Sequence, residues 1–139
     1  MDKSLLIANL KNGVYVRPQP SPLGGVGLFA IRDIPPGIDP FPGDNIEFTE
    51  IPEAEIMNDP AIPESVKKYV DDICVYRENC YLVPKDGLNN ITISSFINYS
   101  TTPNIKVDSV GGRFTSLREI KAGEELTSDY ATYNDGPVL

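Results

Sequence analysis

Proline and glycine punctuate this chain too densely for a helical bundle. Its 139 residues include 13 prolines and 11 glycines. Each proline removes a main-chain donor and fixes φ, and each glycine loosens the backbone. Such a chain is predicted to form short strands joined by many turns. Its length suits one domain over residues 1–139.

The turn residues divide the chain. Residues 14–17 read as a strand, 21–25 as a turn, 26–31 as a second strand and 33–37 as another turn. Residues 38–49 are interrupted by proline and read as a weak edge strand. The one clear helix is expected over residues 61–75. Pro63 suits its first turn, and Val66, Tyr69, Val70 and Ile73 recur at three-four spacing, which gathers them on one face. Asp71 and Asp72 are expected on the other side. Further strands are expected at 80–83, 105–107, 113–117 and 125–127, a turn at Asp86-Gly87, a short helix at 94–98 and a loop from 132 onward. The fold class is therefore mostly β with a short helical insert.

The formal net charge is −8. A basic surface for nucleic acid is excluded by that balance. An acidic surface attracts a cationic partner such as a Lys-rich peptide, although it equally serves solubility. No apolar run approaches the roughly 20 residues of a membrane span. Residues 1–7 hold only a short apolar patch, so no signal peptide is expected. The expected location is intracellular, cytoplasmic or nuclear.

Histidine is absent. That removes imidazole bases, Ser-His and Cys-His nucleophile pairs and most imidazole metal sites. Cys74 and Cys80 are the only cysteines. Two thiols do not make a four-ligand zinc site, and free thiols are expected. Any chemistry must use Tyr, Asp, Glu, Lys, Ser or main-chain groups.

Three separated segments form one pattern together. The first is Ser21-Pro22-Leu23-Gly24-Gly25-Val26-Gly27-Leu28-Phe29-Ala30, followed by Ile34-Pro35-Pro36-Gly37. The second is Phe96-Ile97-Asn98-Tyr99-Ser100-Thr101-Thr102-Pro103-Asn104. The third is Ile120-Lys121-Ala122-Gly123-Glu124-Glu125-Leu126-Thr127-Ser128-Asp129-Tyr130. A lone Gly-x-Gly would mean little; all three segments in order, over roughly residues 14–133, resemble the SET-domain family of protein-lysine methyltransferases. Cys80-Tyr81-Leu82-Val83, with Asp86-Gly87, sits where that family has a further strand.

The resemblance implies a SET fold of several small, mostly antiparallel sheets, with a carboxyl-terminal pseudoknot, a variable insert at about 51–79 and a short tail at 134–139. It implies methyl transfer from S-adenosylmethionine to a lysine amine. Gly25, Val26, Gly27 and Leu28 would hold the methionine end of the cofactor, together with Asn98 and Tyr99. Tyr99 replaces the family's His. Thr101 replaces a Cys of the zinc-containing members, and their Cys-rich tail is lacking, so no metal is expected. Tyr130 is the implied catalytic residue, and Tyr81, Tyr130 and Tyr133 are candidates for the substrate-lysine channel. Phe29, Phe96 and Phe114 are expected in the core. The insert's Asp71, Asp72 and Glu78 are placed to meet basic residues of a protein or peptide substrate, a histone tail among them. So small a unit is compatible with a homodimer. The alternative is a silent SET-fold module that binds cofactor or a basic peptide without transfer.

Overall fold

The computed structural model describes residues 2–44, 47–108 and 113–129. Strands β1 (Val16–Pro20) and β2 (Val26–Ala30) form a hairpin, in register from Val16↔Ala30 to Pro20↔Val26. Pro18 and Pro20 are tolerated because β1 is an edge strand, where proline breaks no ladder. The hairpin turns through Gly24 and Gly25, at φ +117° and +57°. Side chains rarely enter that region, so the turn needs glycine.

The strand that organises the main sheet comes last in sequence. Strand β9 is Glu125–Ser128; the others are β6 (Asn98–Tyr99), β7 (Ile105–Asp108) and β8 (Arg113–Ser116). β9 runs antiparallel to β2 at Leu28↔Leu126 and parallel to β6 and β7. The path is β1-β2-β9-β7-β8, with β6 also on β9. A strand flanked on both sides is mostly buried, and Leu126, Thr127 and Ser128 are. The sheet is thus mixed rather than purely antiparallel.

Its core includes Leu28, Ile34, Ile105, Ile120 and Leu126, all with 1% exposure or less. Burying each such side chain contributes about 1.5–3 kcal/mol. Ile34 and Ile120 open the two Ile-x-x-Gly turns and pair with each other, N–H to carbonyl, at 2.7 and 2.9 Å. Gly37 and Gly123 close those turns at φ +78° and +94°. Asn104 is buried and serves β9 as a side-chain strand partner.

Strands β3 (Phe48–Pro52), β4 (Val75–Arg77) and β5 (Cys80–Pro84) form a second sheet in the order β3-β5-β4. Helices α2 (Glu53–Met57) and α3 (Glu64–Ile73) lie between β3 and β4 in the chain. Ile56, Val70, Cys74 and Tyr81 make a separate small core. The β4–β5 hairpin turns on Glu78 and Asn79, both at positive φ, the geometry that matches strand twist.

Several expectations shift. Helix α3 is shorter than the expected 61–75, because Pro63 bars the helical form for the residue before it and Cys74 turns extended. Residues 38–44 form no strand; Pro40 and Phe41 are buried there and the strand begins only at Phe48. Residues 45–46 lie outside the described set. The 94–98 helix is a 3₁₀ turn at Ile93–Phe96. Helix α1 (Lys3–Asn12) adds to the expected elements. Asp2 caps it by accepting the Leu5 N–H at 2.9 Å, and no α1 residue is buried. Phe96 and Phe114 are half-buried against the main core, whereas Phe29, half-buried between core residues Leu28 and Ala30 on β2, takes the opposite face by strand alternation. Among the described residues no helix is long and apolar enough to cross a membrane.

Candidate functional site

The glycine turn, Asn98 and β9 meet at one carboxylate. Ser21 Oγ lies 2.7 and 2.9 Å from the two oxygens of Glu125 and donates to them. Asn98 Nδ2 donates to Glu125 Oε2 at 2.8 Å and to the Val26 carbonyl at 3.2 Å. Each of the three sequence segments therefore sends a polar group to this junction. Ser21 Oγ also accepts the Leu23 N–H at 3.0 Å, which steadies the turn.

Space is unequal on the two sides of the turn. A Cβ at Gly24 or Gly25 would meet no atom within 4 Å, whereas one at Gly27 would collide with Glu125 Oε2 and lie 2.9 Å from Asn98 Nδ2. The tip of the turn is open and its stem is filled. Val26 is 45% exposed, beside that open space. Leu28 is 0% exposed and its side chain belongs to the core, so only its main chain could face a ligand.

Tyr99 is half-buried on β6, opposite Ser128. Tyr81 lies on β5 in the second core, with its ring 5.1 Å from that of Tyr76. Its hydroxyl donates to Asp71 Oδ1 at 2.8 Å. Burial, and then that carboxylate, push its pKa well above the ordinary tyrosine value. Asp71 therefore turns toward β5, unlike the expected placement away from the sheet. Exposed Asp72 pairs with Lys68 at 3.1 Å. Tyr130 and Tyr133 lie outside the described residues.

The structure thus joins Val26 and Gly27 to Asn98 through direct contacts, ties Gly25 to Ser21 within the same turn, and leaves Tyr81 in the separate small core. Ser21 and Glu125 do not stand out as site residues in the sequence, although both lie inside the family-like segments. The signal available is their position: Ser21 opens the first segment, and Glu125 begins the strand that the third segment forms.

The profile of the SET domain family matches residues 25–131. No curated protein matches the sequence. Among solved structures, a "putative histone methyltransferase" of Plasmodium falciparum is similar in fold, with 18% identity and a TM-score of 0.53, over 84% of this chain and 93% of that one. A humanized mutant of the Chaetomium thermophilum Polycomb Repressive Complex 2, bound to the inhibitor GSK126, is similar with 26% identity and a TM-score of 0.55. That match takes in 88% of this chain, which spans 16% of the other's length. With its three segments folded onto a shared carboxylate and the family profile covering most of its length, the chain belongs to the SET domain family.

Proposed function

We propose that this protein transfers a methyl group from S-adenosylmethionine to the side-chain amine of lysine in a basic protein or peptide. One observation carries the reading: Asn98 reaches across 72 positions of sequence to hold the Val26 carbonyl of the glycine turn. That contact builds a rigid cradle with an open tip, which suits a ligand approached by main-chain atoms.

When bound, the cofactor supplies a methyl carbon made electrophilic by its sulfonium. The turn at Gly25, Val26, Gly27 and Leu28 would hold the methionine end with main-chain groups, assisted by Asn98 and by the main chain of Tyr99. In this reading the carboxyl-terminal segment threads through the family's pseudoknot; the place of β9 between β2 and the β6 and β7 strands supports it. Tyr130, two positions beyond the end of β9, would orient the incoming amine.

Free lysine has a pKa of about 10.4, so at neutral pH only about one amine in a thousand can attack. A narrow aromatic channel disfavours the ammonium form, while ring faces attract the cation on arrival. Tyr81 and Tyr133 would line that channel with Tyr130. The Asp71 hydrogen bond fixes the Tyr81 hydroxyl. No strong base is needed once the amine is neutral, which fits a chain without histidine. The −8 charge favours a basic substrate, histone tails included, and a cytoplasmic or nuclear location fits such substrates.

Incubation with isotope-labelled S-adenosylmethionine and a panel of basic proteins, read by mass, tests the proposal. A gain of methyl mass on lysine is expected. Cofactor binding without transfer would make the protein a silent module, and no binding at all would overturn the cofactor reading.

A further inference from the structure

One carboxylate, that of Glu125, bonds both the glycine turn and Asn98 in the cradle. We propose that Glu125 is the positioning residue of the cradle: its carboxylate sets how closely the glycine turn approaches the bound cofactor. The inference rests on the cofactor reading above, and it goes further by naming the group that shapes the site.

Glu125 is anchored at both ends. Its main-chain carbonyl accepts the buried Asn104 amide at 2.9 Å, and its register on β2 is opposite Phe29. Its side chain then holds Ser21 on one side and Asn98 on the other. An ionised carboxylate only accepts hydrogen bonds, and both neighbours present donors to it. The three groups thus form a bridge from Asn98 on β6, through the Glu125 carboxylate of β9, to the first residue of the turn.

The same carboxylate explains the glycine at position 27. The place of a Cβ there is taken by the Glu125 carboxylate and by Asn98 Nδ2. Position 27 must be bare because Glu125 fills the space beneath it. A methyl at that point would push the carboxylate off Ser21 and Asn98. Gly27→Ala and the loss of Glu125 should therefore damage one and the same contact.

Calorimetric titration of S-adenosylmethionine into the intact chain reads this directly, without turnover. Glu125→Gln keeps the volume but offers an amide N–H₂ where an acceptor is needed. It should weaken cofactor binding about tenfold, while the thermal midpoint of the unliganded protein stays close to wild type. Gly27→Ala should cost about as much in the wild-type background. In a Glu125→Ala background, where the space is vacated, the same Gly27→Ala change should cost less than about twofold. If Glu125→Ala does not fold, Glu125→Gln still decides the matter. Unchanged affinity in Glu125→Gln, or an equal Gly27→Ala cost in both backgrounds, would overturn the role of Glu125 and leave the cofactor reading standing. A wild-type protein that binds no cofactor would overturn both.

Discussion

The Asn104 side chain acts as a strand partner for Thr127: its Oδ1 accepts the Thr127 N–H at 2.8 Å while its Nδ2 donates to the Glu125 carbonyl at 2.9 Å. One amide thereby satisfies a donor and an acceptor on the same edge of β9. Asn104→Ala leaves both main-chain groups without that partner in the core. The expected loss is about 2–4 kcal/mol, from the two bonds and the desolvated groups left behind. Urea unfolding should show a lower midpoint at an unchanged slope.

Gly24 offers a cleaner strain experiment than a core mutation. Its φ is +117°, and a methyl group placed on its Cα would have no atom within 4 Å, so a side chain would meet no steric neighbour. Gly24→Ala should nonetheless destabilise the fold by about 1–3 kcal/mol, through backbone strain alone. Equal stability of the variant and the wild type, by chemical denaturation, would show that the turn adopts another conformation.

Burial pushes the Cys74 thiol from its ordinary 9.0 up to about 11. In the unfolded chain the thiol ionises from about pH 9, whereas the fold retains its proton to about pH 11. The unfolded state therefore binds fewer protons in that window, and stability falls as pH rises through it. The raised Tyr81 phenol acts in the same direction above its ordinary value of 10.0. Urea midpoints between pH 8 and pH 11 should decline, and less steeply in Cys74→Ser.

Tyr130→Phe keeps the ring and removes the hydroxyl proposed to orient the amine. Turnover should fall about a hundredfold or more, in the range seen when a single transition-state donor is lost. Cofactor affinity, read by calorimetry, should stay at the wild-type value. Undiminished turnover would remove Tyr130 from the chemistry.

Asp71 and Asp72 are adjacent in sequence but differ in what they hold. Asp71 receives the Tyr81 hydroxyl, while Asp72 stands exposed with Lys68. Asp72→Lys should raise the KM for a basic peptide with little change in unfolding midpoint. Asp71→Asn should lower the midpoint, by about 0.5–1.5 kcal/mol for a weakened hydrogen bond.

Much of the strand pattern is legible because glycine, proline and aspartate delimit it. Strands β2, β5, β7, β8 and β9 lie within two residues of their expected limits. Helix α1 escapes the sequence reading because Leu5, Leu6, Ile7 and Leu10 make no buried stripe; its readable signals are the cap at Asp2 and the stop at Gly13. Strand β4 and the Asp71–Tyr81 contact depend on which segments meet, and spacing does not carry that. The clearest case is Glu124 beside Glu125. The two look alike in sequence, yet Glu124 pairs with Arg118 at 2.9 Å on the surface and Glu125 turns toward Asn98. The difference lies in the backbone: Glu124 still belongs to the turn that ends the Ile-x-x-Gly segment, and Glu125 is the first residue of β9.

The two prolines of β1 also bear on how this protein behaves in company. An outer margin with unpaired N–H groups is a template on which a foreign strand can add, and sheets grown that way end in aggregates. At Pro18 and Pro20 two of those donors do not exist, so a second chain arriving alongside β1 finds gaps where its carbonyls need partners. The hairpin that presents the glycine turn is thereby guarded against recruitment into a larger sheet.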